Sequence, residues 1–198
     1  NNLINQIISE GGKASGELLN AVKDDTIEHL IQKVENDIGP IDVAVYNLGA
    51  QIGNKSLQDL SLKQFDLGFK MGTLGLFRLS KTLFPFMEKR KTGTLIVTSS
   101  TAAVRGNRGQ HSHAAAMGAR RMLCQTLNDE FSIKGIHIIH AIIDGAVDAP
   151  DTLGKMLGSE EYQKLREKVG LDKDGLILPE KIAESYLYLT KQHRSTWT

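Results

Sequence analysis

The chain has 198 residues, 40% of them hydrophobic and 24% charged, with a net charge of +1. That supports one domain with a sizeable core and gives no sign of a nucleic-acid or membrane surface. A single cysteine, Cys124, excludes an internal disulfide framework and fits a reducing, cytoplasmic compartment, and no apolar run approaches the ~18 residues of a membrane span.

In chain order, "NNLINQIISEGG" sets Leu3, Ile4, Ile7 and Ile8 at helical spacing and ends at a glycine pair. "KASGELLNA" is a weak strand candidate. "DDTIEHLIQKVENDIG" carries acidic residues in its first turn and an apolar stripe at Ile27, Leu30, Ile31, Val34 and Ile38, an amphipathic helix. "IDVAVYNLG" is a short strand stopped by Asn47-Leu48-Gly49. "SLKQFDLGFKMGTLGLFRLSKTLFPFMEKRK" reads as one long helix, and "GTLIVTSS" as a strand buried on both faces. "SHAAAMGARRMLCQTLNDEFSIKG" is a helix ending at Gly135, in which Cys124 is a buried structural thiol. "IHIIHAIIDGAV" is another buried strand, and "DTLGKMLGSEEYQKLREKVGLDKDG" is helical and polar. "PEKIAESYLYLTKQH" opens with proline in the first turn of a final helix. Repeats, low-complexity segments and linkers are lacking, so residues 1–198 form a single domain.

Strands alternating with helices predict a parallel α/β sheet, with "IDVAVY", "TLIVTS" and "HIIHAII" adjacent and helices on both faces. Ligands on such sheets sit beyond the carboxyl ends of the strands. The segments 46–50, 98–109 and 143–152 lie there, with glycines at 49, 106, 109 and 145. Glycine permits a tight turn or a close backbone approach, and it also punctuates any α/β fold.

Three of these segments carry a family resemblance. "IGPIDVAVYNLGA", "GTLIVTSSTAAVRGNRGQHSHAAAMGA" and "KGIHIIHAIIDGAV" resemble the fourth, fifth and sixth strands of the short-chain dehydrogenase/reductase family, with the turns that follow them. The match runs over nearly the whole chain and is similar to a divergent bacterial branch. It implies a Rossmann-like, doubly wound parallel sheet, an NAD or NADP cofactor, and hydride transfer between a carbonyl and an alcohol. It also implies a homodimer or homotetramer paired through helices 61–90 and 112–134. The family's glycine-rich cofactor turn is missing from this sequence. An N-terminal βαβ unit of roughly 30 or more residues is therefore expected before Asn1, and a last strand after Thr198.

The resemblance places a catalytic serine at Ser100, thirteen positions before His113, where the family has its tyrosine. Met117 stands at the lysine position and Gly72 at the asparagine position, so three of the four members are substituted. On the cofactor side, the turn keeps Asn47 and Gly49, and Asn20 stands where an aspartate contacts adenine. Gly145 keeps the glycine of a Pro-Gly turn whose proline is Asp144, and Thr152 is near Ala149, where a threonine holds the carboxamide. An imidazole can act as a general acid near neutral pH without a lysine to assist it, but methionine offers a ribose almost no hydrogen bonding. The alternative, favoured because methionine offers a ribose so little and an imidazole is shorter than a phenol, makes His113 a helix residue beside a disused cleft; Ser100 can likewise be a strand-end hydroxyl bonding local backbone. An oxidoreductase of weak or altered activity, a non-catalytic binding or regulatory protein, and a structural subunit paired with an active relative all remain open. His111 and His113 point apart on a helix and lack further ligands, which argues against a metal. Arg105 and Arg108 are read as a solvated basic loop, and the phenylalanines of residues 65–86 as core or subunit interface.

Overall fold

The computed structural model describes residues 2–49, 53–169 and 175–198. Three runs rich in β-branched residues form its sheet: β1 (Val43–Tyr46), β2 (Gly93–Ser100) and β3 (Ile136–Ile143), hydrogen-bonded in the order β1-β2-β3 and all parallel. Val45 pairs with Ile96, and Ile96 in turn with Ile139. β2 lies between the other two, and its Leu95, Ile96 and Val97 have no exposed surface. The adjacent parallel strands expected from the sequence are present.

Strand alternation divides these side chains between two faces. On one, Leu95, Val97, Ile136 and Ile138 pack against Leu76, Leu83, Phe84 and Met87 of α4 (Gly75–Arg90) and Cys124 and Leu127 of α5 (His111–Phe131). Ile27 and Ile31 of α2 (Thr26–Lys33) close the same core. On the other face, the Thr98 hydroxyl lies 2.8 Å from the Tyr186 hydroxyl of α8 (Pro179–Thr190), and the His137 ring stacks on Trp197 at 4.6 Å. Burial holds the His137 imidazole below its usual pKa, so it packs as a neutral ring. Cys124 is buried and its thiol is pushed up to about 12 by desolvation, consistent with a structural role.

Three expectations are corrected. Residues 13–21 form no strand, because among the described residues no strand lies beside them to complete a ladder. The long helix is α3 (Leu62–Phe69), a π-helical turn at Lys70–Leu74, and α4. The segment after β3 is also divided: a π-helical turn (Pro150–Gly154), α6 (Lys155–Leu157) and α7 (Ser159–Val169), while 170–174 lie outside the described residues. The first helix is α1 (Asn2–Ser9), as expected. An unanticipated parallel bridge joins Val147 to Ile177, with the Asp148 amide donating to the Ile177 carbonyl at 2.8 Å. No helix among the described residues is long and apolar enough to cross a membrane.

Candidate active site

β2 delivers its last residue, Ser100, to the carboxyl edge of the sheet in an extended conformation. The chain then makes a 3₁₀ turn (Thr101–Ala103) and a loop that ends at Gly109, whose φ of +78° is left-handed. That reversal starts α5 at His111 and turns its first face back over the strand end. The buried Ser112 hydroxyl donates to the Phe65 carbonyl at 3.1 Å, fixing the start of α5 against α3. The result is a contact of 3.0 Å between Ser100 Oγ and His113 Nε2, both half-buried. The hydroxyl can accept a hydrogen bond and donate one at the same time. The pair can therefore pass a proton to an oxygen placed beside Ser100.

The other sequence-predicted positions behave differently. Met117, one turn after His113, is only 2% exposed and packs with Ala102, Ala103 and Ala116. The Ser99 hydroxyl donates to its sulfur at 3.7 Å, so Met117 fills the layer behind the pair and presents no polar group to the cleft. Gly72 is buried in the π-helical turn and contributes only its carbonyl. Asn47 and Gly49 are exposed beyond β1, and a Cβ at Gly49 or Gly106 would meet nothing within 4 Å, leaving open space along the backbone. Ala50 lies outside the described residues. Gly145 sits against Ile177, whose Cδ1 a Cβ would approach to 2.8 Å. The Asn20 side chain accepts from the Val22 amide at 3.3 Å, and the Thr152 amide donates to the Ala149 carbonyl at 3.2 Å. Both residues are thus held in their own turns. The structure brings Ser100 and His113 together. Among those residues there is no cluster of three or more potential metal ligands.

Sequence reasoning missed Arg120. It is 2% exposed, and its guanidinium donates to three carbonyls: Nε to Gly72 at 2.6 Å, one terminal nitrogen to Thr98 at 2.5 Å, the other to Leu48 at 2.8 Å. It also lies 5.2 Å from the centre of the Tyr46 ring. The Tyr46 hydroxyl donates to the Met71 carbonyl at 2.5 Å, and the Thr73 hydroxyl to the Ala116 carbonyl at 2.9 Å. The π-helical turn diverts the Met71 and Gly72 carbonyls from the regular i→i−4 ladder and leaves them to side-chain donors. A signal was present. Met117, Arg120, Cys124 and Leu127 form one helical stripe of α5, and an arginine in an apolar stripe marks a buried cation that needs partners.

Comparison with known proteins bears on the fold and the family. The family model described as short chain dehydrogenase matches residues 1–156. A 3-oxoacyl-[acyl-carrier-protein] reductase from Thermotoga maritima is 26% identical over 184 residues, covering 93% of this chain and 72% of the relative. A 2-dehydro-3-deoxy-D-gluconate 5-dehydrogenase from Formosa agariphila is 30% identical over 129 residues, covering 65% of this chain and 48% of the relative. Among solved structures, a 7α-hydroxysteroid dehydrogenase complexed with NADH and 7-oxo glycochenodeoxycholic acid superposes with a TM-score of 0.81 at 24% identity, covering 96% of this chain and 72% of that one. An alcohol dehydrogenase from Thermococcus sibiricus complexed with 5-hydroxy-NADP gives 0.79 at 23%, covering 98% and 76%. The chain thus spans between about half and three quarters of the proteins it matches. With the family model matching residues 1–156 and three adjacent parallel strands, the chain belongs to the short-chain dehydrogenase family.

Proposed function

We propose that the full-length protein is an NAD(P)-dependent oxidoreductase acting on a carbonyl or alcohol, with activity below that of relatives that keep tyrosine and lysine. The contact of 3.0 Å between Ser100 Oγ and His113 Nε2 carries this reading. An imidazole is shorter than a phenol, but it need not touch the substrate. His113 gives a proton to Ser100 Oγ while Ser100 gives its own to the substrate oxygen, and the reverse transfer serves alcohol oxidation. A nicotinamide bound at this edge supplies or takes the hydride. The open backbone at Asn47 and Gly49 fits a dinucleotide, and the ligands of the two similar structures support that class of cofactor. Position 117 does not fit, because Met117 is buried and has no donor for a ribose. Weaker cofactor binding follows.

The test is turnover of a carbonyl panel with NADH and NADPH by the full-length protein and by His113→Ala. Loss of the acid relay lowers kcat by about 10²-fold or more. Turnover in the variant within threefold of the parent would reject the relay. The burial of Met117 favours a second reading, a non-catalytic binding or regulatory protein on the same scaffold. Nucleotide binding without turnover of any panel member supports it.

The same reading extends to assembly and place in the cell. Phe65, Phe69 and Phe77 of helices 61–90 and Met122 of α5 are exposed, while Phe84 of α4 meets Phe131 of α5 edge-on at 4.8 Å. These helices suit a two-fold contact that buries one patch on both subunits. Sedimentation of the full-length protein at micromolar concentration is expected to show a dimer or tetramer, and a monomer would refute the contact. The single buried cysteine favours a cytoplasmic setting.

A further inference from the structure

We propose that Arg120 is the positioning residue of this site, a buried cation that holds three chain segments in register so that Ser100, His113 and the turn after β1 face one ligand. The proposal rests on the oxidoreductase reading above. The three carbonyls it binds belong to three different pieces of the carboxyl edge. Leu48 lies in the turn between Asn47 and Gly49, Thr98 lies two residues before Ser100, and Gly72 lies in the π-helical turn that stands where the family has its asparagine. Arg120 itself is on α5, two turns after His113. One planar fork therefore references the serine, the histidine and the cofactor-side turn to a single point.

The surroundings are shaped for this fork. No carboxylate forms a salt bridge with Arg120 among the described residues, so the Tyr46 ring and the three carbonyls carry the compensation for a buried charge. Gly75 leaves space for the Tyr46 hydroxyl, which a Cβ there would strike. The charge is felt nearby: burial first, then Arg120 and Arg121, lower the His140 imidazole to about 4. Lysine could present one point charge to these carbonyls but not the three-way geometry. Methionine would fill the volume and leave three buried acceptors without donors.

The experiment uses the full-length protein with Arg120→Met and Arg120→Lys. Hydrogen–deuterium exchange is read at 47–49, 72–75 and 98–100. Nucleotide dissociation constants, kcat and KM are measured well below the melting temperature of each variant. In Arg120→Met, exchange is expected to rise in those three segments while β3 and α2 keep parental protection. Nucleotide binding weakens about tenfold and kcat falls by roughly 10- to 100-fold, with carbonyl KM changed less than kcat. Arg120→Lys lies between Met and parent. Exchange that rises uniformly, or binding and kcat within twofold of the parent in a folded Arg120→Met, overturns the proposal and leaves Arg120 a packing residue. A parent that binds neither NADH nor NADPH overturns the oxidoreductase reading instead, and the exchange comparison still decides whether Arg120 tethers the three segments.

Discussion

In the full-length protein, His113→Tyr combined with Met117→Lys is expected to raise kcat/KM for a reducible carbonyl by about 10²-fold or more over the parent, measured with both NADH and NADPH. The two changes depend on each other. A tyrosine alone keeps its proton near ~10 and is a poor base for alcohol oxidation without a neighbouring cation. A lysine alone supplies a ribose donor but no acid beyond the Ser100–His113 pair. Position 117 starts from a buried thioether among Ala102, Ala103 and Ala116, so the ammonium must extend past them to the cleft on its four-carbon stem. The Ser99 hydroxyl, now directed at the Met117 sulfur, can accept from it on the way. The buried Arg120 repels a second cation on the same face of α5, which keeps the gain below full restoration. A double variant that folds and binds nucleotide but turns over no faster than the parent would show that the loss lies elsewhere, with Gly72 the first suspect.

The second large effect concerns stability. Gly135→Ala is expected to cost about 2–4 kcal/mol and to lower the melting temperature by roughly 5–15 °C. Gly135 has a φ of +89°, and a Cβ there would strike the backbone carbonyl of Lys91. Lys91 is itself left-handed at φ +57°. These two residues precede β2 and β3 at the amino edge of the sheet, so neither backbone can yield without disturbing the start of a ladder. Gly118→Ala is the control. It sits inside α5 with open space around its Cβ, and helix propensity makes alanine better by about 0.5–1 kcal/mol. Equal melting shifts for the two variants would contradict the argument.

Much of this fold can be read from local pattern. "GTLIVTSS" and "IHIIHAII" combine β-branched residues with sharp boundaries, and both are full-length strands. "KASGELLNA" failed as a strand because a strand is a tertiary object, and among the described residues no strand lies beside it to complete a ladder. The break in the long helix left only a weak local sign, the glycines at 68, 72 and 75, because a helical pattern tolerates isolated glycines. The π-helical turn answers instead to Tyr46 and Arg120, which reach its carbonyls from β1 and α5. At the site, the spacing of Ser100 and His113 pointed to their contact through the family resemblance. Whether Met117 faced the cleft or the core depends on Ala102 and Ala103, which no helical periodicity in α5 contains.

The parallel order of the sheet has a consequence for how the chain reaches its fold. Val43 pairs with Thr94, and Thr94 with His137, so every ladder bond spans more than forty residues. Each closure spends chain entropy before the sheet returns any bonding, and among the described residues there is no hairpin to nucleate it locally. Folding should therefore be slow for a chain of this size. The helices should form early, and the ladders should join only when β2, which pairs on both sides, is in place.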